Sequence, residues 1–413
     1  EDEGGPSDAR EMWDPMERPL EEGETLNYDS SAYTMFHRLR PEWPSLSVDL
    51  IRDNLGARRT KFPLTAFLVT GSQANRGDKN KLTVMKVADM HKTQNDEKDS
   101  DDSEDEDGLD DDPTLLTRET PHPGCTNRVR CMPQRPNVVA TWADTGKVNI
   151  WDVSEALQQL SGKTTGRSSA WRPAPIFTFE GHPTEGFAMD WSSRSEGRLI
   201  TGDCRQHIYL WEPASSSVWS VDKVPFKGHS ESVEDLQWSP TEETVFASCS
   251  VDRSIRIWDT RCKRKSMLTT ADAHETDINV ISWNRLVSYL LVSGADDGSF
   301  KIWDMRNFKA DAPAAHFKWH TGPISSVCWH PSDDSVLAVA AGDDQISVWD
   351  MSVEADKDEA EVDFGETRRK VPPQMLFLHH QKDPKEVKFH AQLPGVIVST
   401  GVDGFNIFRP SNL

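Results

Sequence analysis

The chain has 413 residues, more than one compact core usually needs, so several domains or a repeat architecture are expected. Hydrophobic residues make up 36% and the net charge is −22, so a core can form, but no basic surface exists for sequence-specific nucleic-acid binding. Such an acidic protein attracts basic proteins instead.

Several function classes lack their sequence marks. No run of about 18 apolar residues occurs, so no membrane span is expected. The six cysteines show no C-x-x-C spacing, which predicts neither zinc nor a disulfide framework and favours a reducing compartment. The visible N-terminus shows no signal peptide. No phosphate loop or metal-ligand cluster appears, and His37, His207 and His390 have no companions at ligand spacing. No cofactor is expected.

The N-terminal region divides into two predicted parts. Residues 1–24 are acidic and are expected to be disordered. Residues 25–42 are predicted to form an α-helix, because Tyr33, Phe36 and Leu39 follow three-to-four-residue spacing. These three side chains are expected either to pack against the rest of the protein or to line a groove for a partner helix.

An acidic segment interrupts the strand-like sequence that follows. Twelve of the nineteen residues of Gln94–Asp112 are Asp or Glu and only Lys98 opposes them, giving −12 + 1 = −11, half of the net charge. The segment cannot fold alone because it repels itself and holds few apolar residues. It is either a solvated linker or an arm for a basic partner. The candidate partner-binding residues within it are Asp101, Asp102, Glu104, Asp105, Glu106 and Asp107.

Trp-Asp pairs recur along the rest of the chain. They are Trp151-Asp152, Trp258-Asp259, Trp303-Asp304 and Trp349-Asp350, with Trp211-Glu212 as a near match. From Trp211 the successive spacings are 47, 45 and 46 residues. This period is typical of WD-repeat propeller blades.

A second periodic mark supports the repeat. A histidine lies 29 residues before the tryptophan of its unit in four units: His182, His229, His274 and His320. In the last unit His380 lies 28 residues before Phe408, which takes the place of the tryptophan. The sequence therefore predicts an all-β fold, a seven-bladed WD-repeat propeller over residues 43–413 with an N-terminal helix.

Two units carry polar residues that can join in a buried hydrogen-bonded chain. They are His229, Ser248, Asp252 and Trp258, and at matching offsets His274, Ser293, Asp297 and Trp303. Buried polar groups need such partners. A hydrolase triad is the alternative reading, but an enzyme needs one active site and not several copies. We therefore predict a structural network and no enzymatic activity.

The blade count leaves three insertions. We predict that Ser45–Ile51 completes the last blade and closes the ring, and that blade one ends near Met90. Residues 94–112 would then link blades one and two, residues 154–175 blades two and three, and residues 351–374 blades six and seven. Connections of this length are usually functional or disordered.

Three segments resemble a known family. "EGETLNYDSSAYTMFHRLRPEWPSLSVDL", "NRVRCMPQRPNVVAT" and "KVPPQMLFLHH" are similar to histone-binding propellers of the retinoblastoma-binding and chromatin-assembly-factor type. With its acidic insertion, the chain looks like the glutamate-rich WD-repeat branch of that family. The family places a groove between the N-terminal helix and a Pro-Pro loop, here Pro372 and Pro373. In this chain Arg368, Arg369 and Lys370 stand beside that pair, where histone binders are acidic.

The resemblance implies a non-enzymatic chaperone in the nucleus and nucleolus. Its client would be a newly made basic protein of the large ribosomal subunit, held for ribosome biogenesis. Core histones and the pre-ribosomal particle are further candidate partners, and a monomer is expected.

Two alternatives remain open. The first is a histone chaperone in chromatin assembly that uses the same surfaces. The second is a substrate receptor of a cullin ubiquitin ligase, suggested by "WDTR" and "WDMR", which end at Arg261 and Arg306. Ordinary pairing of each arginine with a nearby carboxylate explains these two motifs equally well.

Overall fold

The structure, a computed structural model, describes residues 27–93, 112–162, 171–215, 217–262, 265–354 and 371–413. Within them, seven four-stranded antiparallel sheets form a closed ring, so the predicted seven-bladed propeller is confirmed. We label the strands of each blade a to d from the axis outward, because the a strands of neighbouring blades contact one another. The predictions for residues 1–24 and for Asp101–Asp107 lie outside the described residues.

The first four blades follow the chain in order. Their strands are Val48–Leu50, Leu64–Gly71, Lys81–Met90 and Thr114–Pro121 in blade one; Thr126–Cys131, Val138–Ala143, Val148–Asp152 and Phe177–Phe179 in blade two; Ala188–Trp191, Leu199–Gly202, Ile208–Ser215 and Val218–Val221 in blade three; Val233–Trp238, Val245–Ser250, Ile255–Asp259 and Leu268–Thr270 in blade four.

The last blade joins the two ends of the chain. The strands are Ile278–Trp283, Leu290–Ala295, Ser299–Asp304 and Ala315–Lys318 in blade five; Ile324–Trp329, Val336–Ala341, Gln345–Asp350 and Met375–His380 in blade six; Glu386–Phe389, Ile397–Gly401, Gly404–Pro410 and Tyr33–Leu39 in blade seven. The described helices are the α-helix Ser154–Leu160 and the 3₁₀ turns Ser30–Ala32, Gly77–Lys79 and Met305–Asn307.

The predicted N-terminal helix is wrong over its described part. Tyr33–Leu39 is a β-strand, here called the closing strand, and it pairs with Gly404–Pro410 so that Phe36 lies opposite Phe408. A bulge between Tyr33 and Met35 shifts the alternation of the side chains. Tyr33 and Phe36 therefore share one face although they are three residues apart, which imitates helical spacing.

The predicted ring closure by Ser45–Ile51 is also wrong. Val48–Leu50 is strand a of blade one, with Val48 opposite Thr70. The closing strand completes blade seven instead, and both its faces are buried against neighbouring blades. Met35 and Leu39 pack into the core between blades seven and one, whereas Tyr33 and Phe36 pack into the core between blades seven and six.

All three insertions lie inside a blade, and the prediction that they link blades is wrong. Residues 94–111, 163–170 and 355–370 each connect strand c to strand d, in blades one, two and six. In the second insertion Ser154–Leu160 is an α-helix whose Ala156 and Leu160 are buried. Since each blade has four antiparallel strands, the a–b and c–d connections of all blades share one face, here called the insertion face.

The polar network takes the predicted form in blade four. His229 contacts Asp252 at 2.9 Å through Nδ1 and Ser248 at 2.6 Å through Nε2, and Trp258 Nε1 donates to Ser248 at 2.8 Å. Blade five differs in one link, because Asp297 reaches the histidine only through Ser299. Ser299 Oγ lies 2.6 Å from Asp297 and 3.2 Å from His274.

Other blades build the same network with substitutes. In blade two His122 and Trp151 meet at Thr141, with distances of 2.9 Å each, and His122 is a member that the sequence analysis misses. In blade seven Gln381, and not His380, takes the place of the histidine. Ser399 Oγ donates to Gln381 Oε1 at 2.5 Å.

A buried ion network at the axis links three blades around the point of closure. Glu386 of blade seven lies 2.7 Å from Arg130 and 3.5 Å from Arg128, both of blade two. It also accepts hydrogen bonds from Ser47 Oγ and Val48 N at the start of blade one, at 2.7 and 2.9 Å. Burial alone raises the pKa of Glu386, but Arg130, Lys388 and Arg128 outweigh it and hold the pKa below its ordinary value.

Three buried histidines predict acid sensitivity. Burial lowers the pKa of His274 and of His379 to about 3 and that of His390 to about 4. The unfolded chain therefore binds more protons below pH 6.5, and stability must fall as the pH drops. We expect the free energy of unfolding, measured with urea, to fall by about 1.4 kcal/mol per pH unit for each histidine between pH 6 and pH 4.

Asp190 opposes this trend, because burial raises its pKa to about 6 and the folded state then holds an extra proton. It cancels about one histidine in the slope. The variant His274→Gln follows the solution of blade seven, where Gln381 bonds the hydroxyl. It should flatten the pH dependence by about 1.4 kcal/mol per unit. An unchanged slope in this variant would exclude His274 as a source of acid sensitivity.

Candidate protein-binding surface

Aromatic side chains gather where the closing strand meets blade six. The rings of Tyr33 and Phe36 stack at 4.9 Å, and Tyr28 meets them edge-on at 5.8 and 4.8 Å. Phe377 of blade six contacts Tyr33 at 5.1 Å. Tyr28 is 42% exposed, so the cluster extends from the core to the surface.

A histidine fixes the position of Tyr33 beneath this surface. His379 Nε2 lies 2.9 Å from Asn406 Nδ2, and its Nδ1 lies 2.7 Å from the Tyr33 hydroxyl. The amide nitrogen can only donate, so Nε2 accepts and Nδ1 carries the proton. The low pKa of His379 keeps the ring neutral, and burial raises the pKa of Tyr33, so both groups stay uncharged at neutral pH.

The three predicted groove residues are buried. Tyr33, Phe36 and Leu39 are 7%, 8% and 7% exposed, and Leu39 faces the opposite side of the closing strand. They are therefore not an open groove wall, and their predicted partner role is left to what they position. Phe36 supports Arg38, whose guanidinium lies 4.8 Å above the ring and is exposed. Tyr28 and Arg38 are the accessible parts of this cluster.

The Pro-Pro turn lies on the other side of the cluster. Pro372 and Pro373 immediately precede strand d of blade six, and Met375 N donates to Pro372 O at 2.9 Å. Asn412 near the C-terminus donates to Leu376 O at 2.7 Å, which ties this strand to blade seven. The closing strand and the Pro-Pro turn thus belong to neighbouring outer strands.

The acidic segment begins beside the closing strand. Thr93, the last described residue before it, donates its N–H to Thr34 O at 3.1 Å. Two residues earlier, His91 O accepts from His37 Nε2 at 3.2 Å. The anchor of the acidic segment, the closing strand and the Pro-Pro turn therefore lie around the outer edge of blade seven.

Comparisons with known proteins agree with this layout. A family model that describes the histone-binding protein RBBP4 and the corresponding component of the CAF1 complex matches residues 23–91. The WD domain, G-beta repeat model matches residues 215–259, 265–304 and 312–350. The solved WD40 propeller domain of Doa1 superposes with a TM-score of 0.59 over 91% of this chain and 96% of that chain. At 13% identity it supports the fold alone.

Curated relatives are similar over nearly the whole chain. Glutamate-rich WD repeat-containing protein 1 of Dictyostelium discoideum is 46% identical over 99% of this chain and 87% of its own length. Protein HEAT STRESS TOLERANT DWD 1 of Arabidopsis thaliana is 45% identical, with 99% and 93% covered. Ribosome assembly protein rrb1 of Schizosaccharomyces pombe is 41% identical, with 94% and 82% covered.

The chain belongs to the glutamate-rich WD-repeat family. In this member the acidity is concentrated in two segments. Residues 1–26 hold ten acidic and two basic residues, a net −8, and Gln94–Asp112 holds −11, so together they account for −19 of the net −22. The remaining sequence is close to neutral, so the electrostatic attraction for a basic partner comes from these segments.

The two Trp-Asp-x-Arg motifs of this glutamate-rich WD-repeat chain pair internally. Arg261 forms a fork with Asp259, with Nε and Nη2 at 3.0 and 2.5 Å from Oδ2, and Arg306 does the same with Asp304 at 3.1 and 2.6 Å. Arg306 also lies 3.7 Å above the ring of Tyr289. This geometry is the strand-end pairing expected without a partner.

The described residues hold no helix that is both long and apolar enough to span a membrane. Over the same ranges, no group of three or more His, Cys, Asp or Glu side chains is arranged to bind a metal ion.

Proposed function

We propose that the chain is a non-enzymatic chaperone and scaffold for assembly of the large ribosomal subunit, acting in the nucleus and nucleolus. Its client would be a newly made, basic ribosomal protein. The observation that carries the proposal is the bond between Thr93 and Thr34, which anchors the acidic segment at the closing strand, next to the aromatic cluster. The name of the relative rrb1, a ribosome assembly protein, supports the same process.

The mechanism divides capture from recognition. The eleven net negative charges of Gln94–Asp112 accelerate encounter with a basic client and cover its charge, which would otherwise bind RNA non-specifically. Exposed groups beside the anchor point, Tyr28 and Arg38 among them, provide the fixed contacts that choose the client. Neither step requires a cofactor, and no nucleic acid or membrane is involved.

Removing Gln94–Asp112 should weaken client binding roughly tenfold or more at low salt. The deletion removes the long-range attraction, so it should also reduce the dependence of log Kd on log salt concentration. The measurement is a binding titration with a purified basic ribosomal protein at several salt concentrations. A parallel affinity purification from cells, read by mass spectrometry, identifies which partners the intact and shortened chains retain.

Two control variants sharpen this test. A shuffled segment with the same residues tests whether charge alone suffices, and an equally long Gly-Ser segment tests whether the connection alone suffices. Equal affinity of the Gly-Ser variant and the intact chain at every salt concentration would show that the segment is a solubility linker.

A histone chaperone is the second candidate, favoured by the histone-binding family model that matches residues 23–91. It would use the same surface, so affinity for core histones must be compared with affinity for basic ribosomal proteins under one set of conditions. Tighter binding to histones would favour chromatin assembly. The ubiquitin-ligase receptor remains a hypothesis, and unchanged adaptor recovery by Arg261→Ala/Arg306→Ala would exclude it.

A further inference from the structure

The first residue after strand a caps the a–b turn in blades three to seven. Its side chain accepts hydrogen bonds from backbone N–H groups two or three residues later. The caps and their shortest distances are Ser192, 3.0 Å; Ser239, 3.1 Å; Asn284, 2.9 Å; His330, 3.3 Å; and His390, 3.1 Å. The repeated position shows that these two histidines serve their turns first.

A histidine cap keeps one donor that a serine cap lacks. His390 Nδ1 accepts from both Gln392 N and Leu393 N at 3.1 Å, so Nε2 carries the proton. The side chain is almost completely buried, and among the residues that the structure describes this Nε2–H has no acceptor. In blade five the spare donor of the Asn284 cap is used, because its Nδ2 donates to Asp334 O at 2.8 Å.

His390 borders a cleft of about 330 Å³ on the insertion face. The a–b turns of blades six and seven and the a–b loop of blade one form its walls. The lining includes His330, Ser332, His390 and Arg58. His330 also accepts through Nδ1, from Ser332 N, so its Nε2 carries the proton as well. Several N–H donors therefore face one space.

The loop that carries Arg58 is held rigidly at this place. Gln392 clamps Asp53 through two hydrogen bonds of 2.9 Å each, one to its carbonyl and one from its N–H. Arg59 N donates to Gln392 O at 2.9 Å. Arg58 adopts a left-handed backbone with φ of 55°. Its exposed guanidinium is thus tethered at the edge of the cleft.

The charges around the cleft favour an anion. Arg59 pairs with Asp53 at 2.6 Å, whereas Arg58 remains available. Asp333 stands beside His330, but its Oδ1 accepts from the N–H and the hydroxyl of Ser335 at 3.0 and 2.8 Å. Burial and the nearby Arg59 lower the pKa of His390, which shows that a further positive charge is unfavourable here.

We propose that this cleft binds a single oxyanion group, a phosphate or a carboxylate, through His390 Nε2–H, His330 and Arg58. Two sources present this chemistry, the free ion and an acidic or phosphorylated side chain of a partner protein. A nucleic-acid strand is disfavoured because the acidic segment Gln94–Asp112 leaves from the same face of the propeller. The site is separate from the aromatic cluster and is independent of the proposed function.

The test is a histidine NMR titration of the full chain with inorganic phosphate, a phosphoserine peptide, and the same peptide with aspartate or serine. We expect a saturable shift of the His390 Cε1–H signal and a rise in the pKa of His390, because a bound anion stabilises the imidazolium form. Tighter binding of the phosphoserine or aspartate peptide than of phosphate identifies a partner's side chain as the source. Binding of phosphate alone identifies the free ion.

Two variants remove single donors and keep the backbone. His390→Ser retains the turn cap used by Ser192 and Ser239 but has no Nε2–H, and Arg58→Asn tolerates the left-handed backbone. Each should weaken binding about tenfold, since each removes a donor to a charged group. His316→Ser, an exposed histidine of blade five, is the control and should bind normally.

The wild-type titration decides the outcome even if His390→Ser does not fold. Absence of a saturable shift at His390 with all four ligands would overturn the proposal. So would undiminished affinity in folded samples of both donor variants, with folding checked by circular dichroism and thermal unfolding.

Discussion

Replacement of Glu386 by alanine is expected to lower the free energy of unfolding by about 3–5 kcal/mol, because it leaves buried positive charges without a partner. Glu386 is 2% exposed and lies 2.7 Å from Arg130 and 3.6 Å from Lys388. The same change removes the acceptor of Ser47 and Val48, which hold the entry to blade one. Urea unfolding at neutral pH measures the loss.

Glu212→Ala is the matched control for this variant. Glu212 also pairs with an arginine, Arg198, at 2.6 Å, but 46% of its side chain is exposed. An exposed pair contributes about 0–1 kcal/mol, so this substitution should change stability little. Equal losses in the two variants would mean that the axial network contributes no more than a surface ion pair does.

The periodic part of the fold could be predicted because each blade repeats the same buried chemistry. Trp258 and Trp303 are fully buried, and the indole N–H of each donates to a serine at 2.8 Å. Such a donor needs an acceptor at a fixed place, so the sequence spacing reports the geometry directly. His122 lies 29 residues before Trp151, so the same spacing identifies it as well.

The boundaries of the blades were harder to predict, for a topological reason. The Trp-Asp pairs mark strand c, while strand d follows the next connection in the chain. A long c–d insertion, such as residues 94–111, therefore looks in sequence like a link between two repeat units. Only the pairing of Lys81–Met90 with Thr114–Pro121 shows that it lies within blade one.

The candidate site could be predicted in its parts but not in its arrangement. The acidic composition of Gln94–Asp112 is visible in the sequence, as is the Pro-Pro pair. The hydrogen bond from Thr93 to Thr34 joins residues that are distant in sequence, and no local pattern indicates it. The bulge near Tyr33 gives a strand the spacing of a helix, so the buried Tyr33 and Phe36 resemble a groove wall in the sequence.

This arrangement separates the role of Phe36 from that of Tyr28. Phe36→Ala should destabilise the protein by about 3–5 kcal/mol, because it opens a cavity between blades six and seven. Tyr28→Ala should change stability by less than about 1 kcal/mol, because its ring is 42% exposed although it contacts Phe36 at 4.8 Å. Chemical unfolding of both variants tests the difference.

The same pair of variants tests how the aromatic cluster contributes to binding. If exposed groups of the cluster contact a client, folded Tyr28→Ala should lose affinity at unchanged stability, and Arg38→Ala should do the same. Phe36→Ala should lose affinity only to the extent that Tyr28 and Arg38 shift, since the buried ring supports both. Full client affinity in Tyr28→Ala and Arg38→Ala would restrict the cluster to closing the ring and would leave capture to the acidic segment.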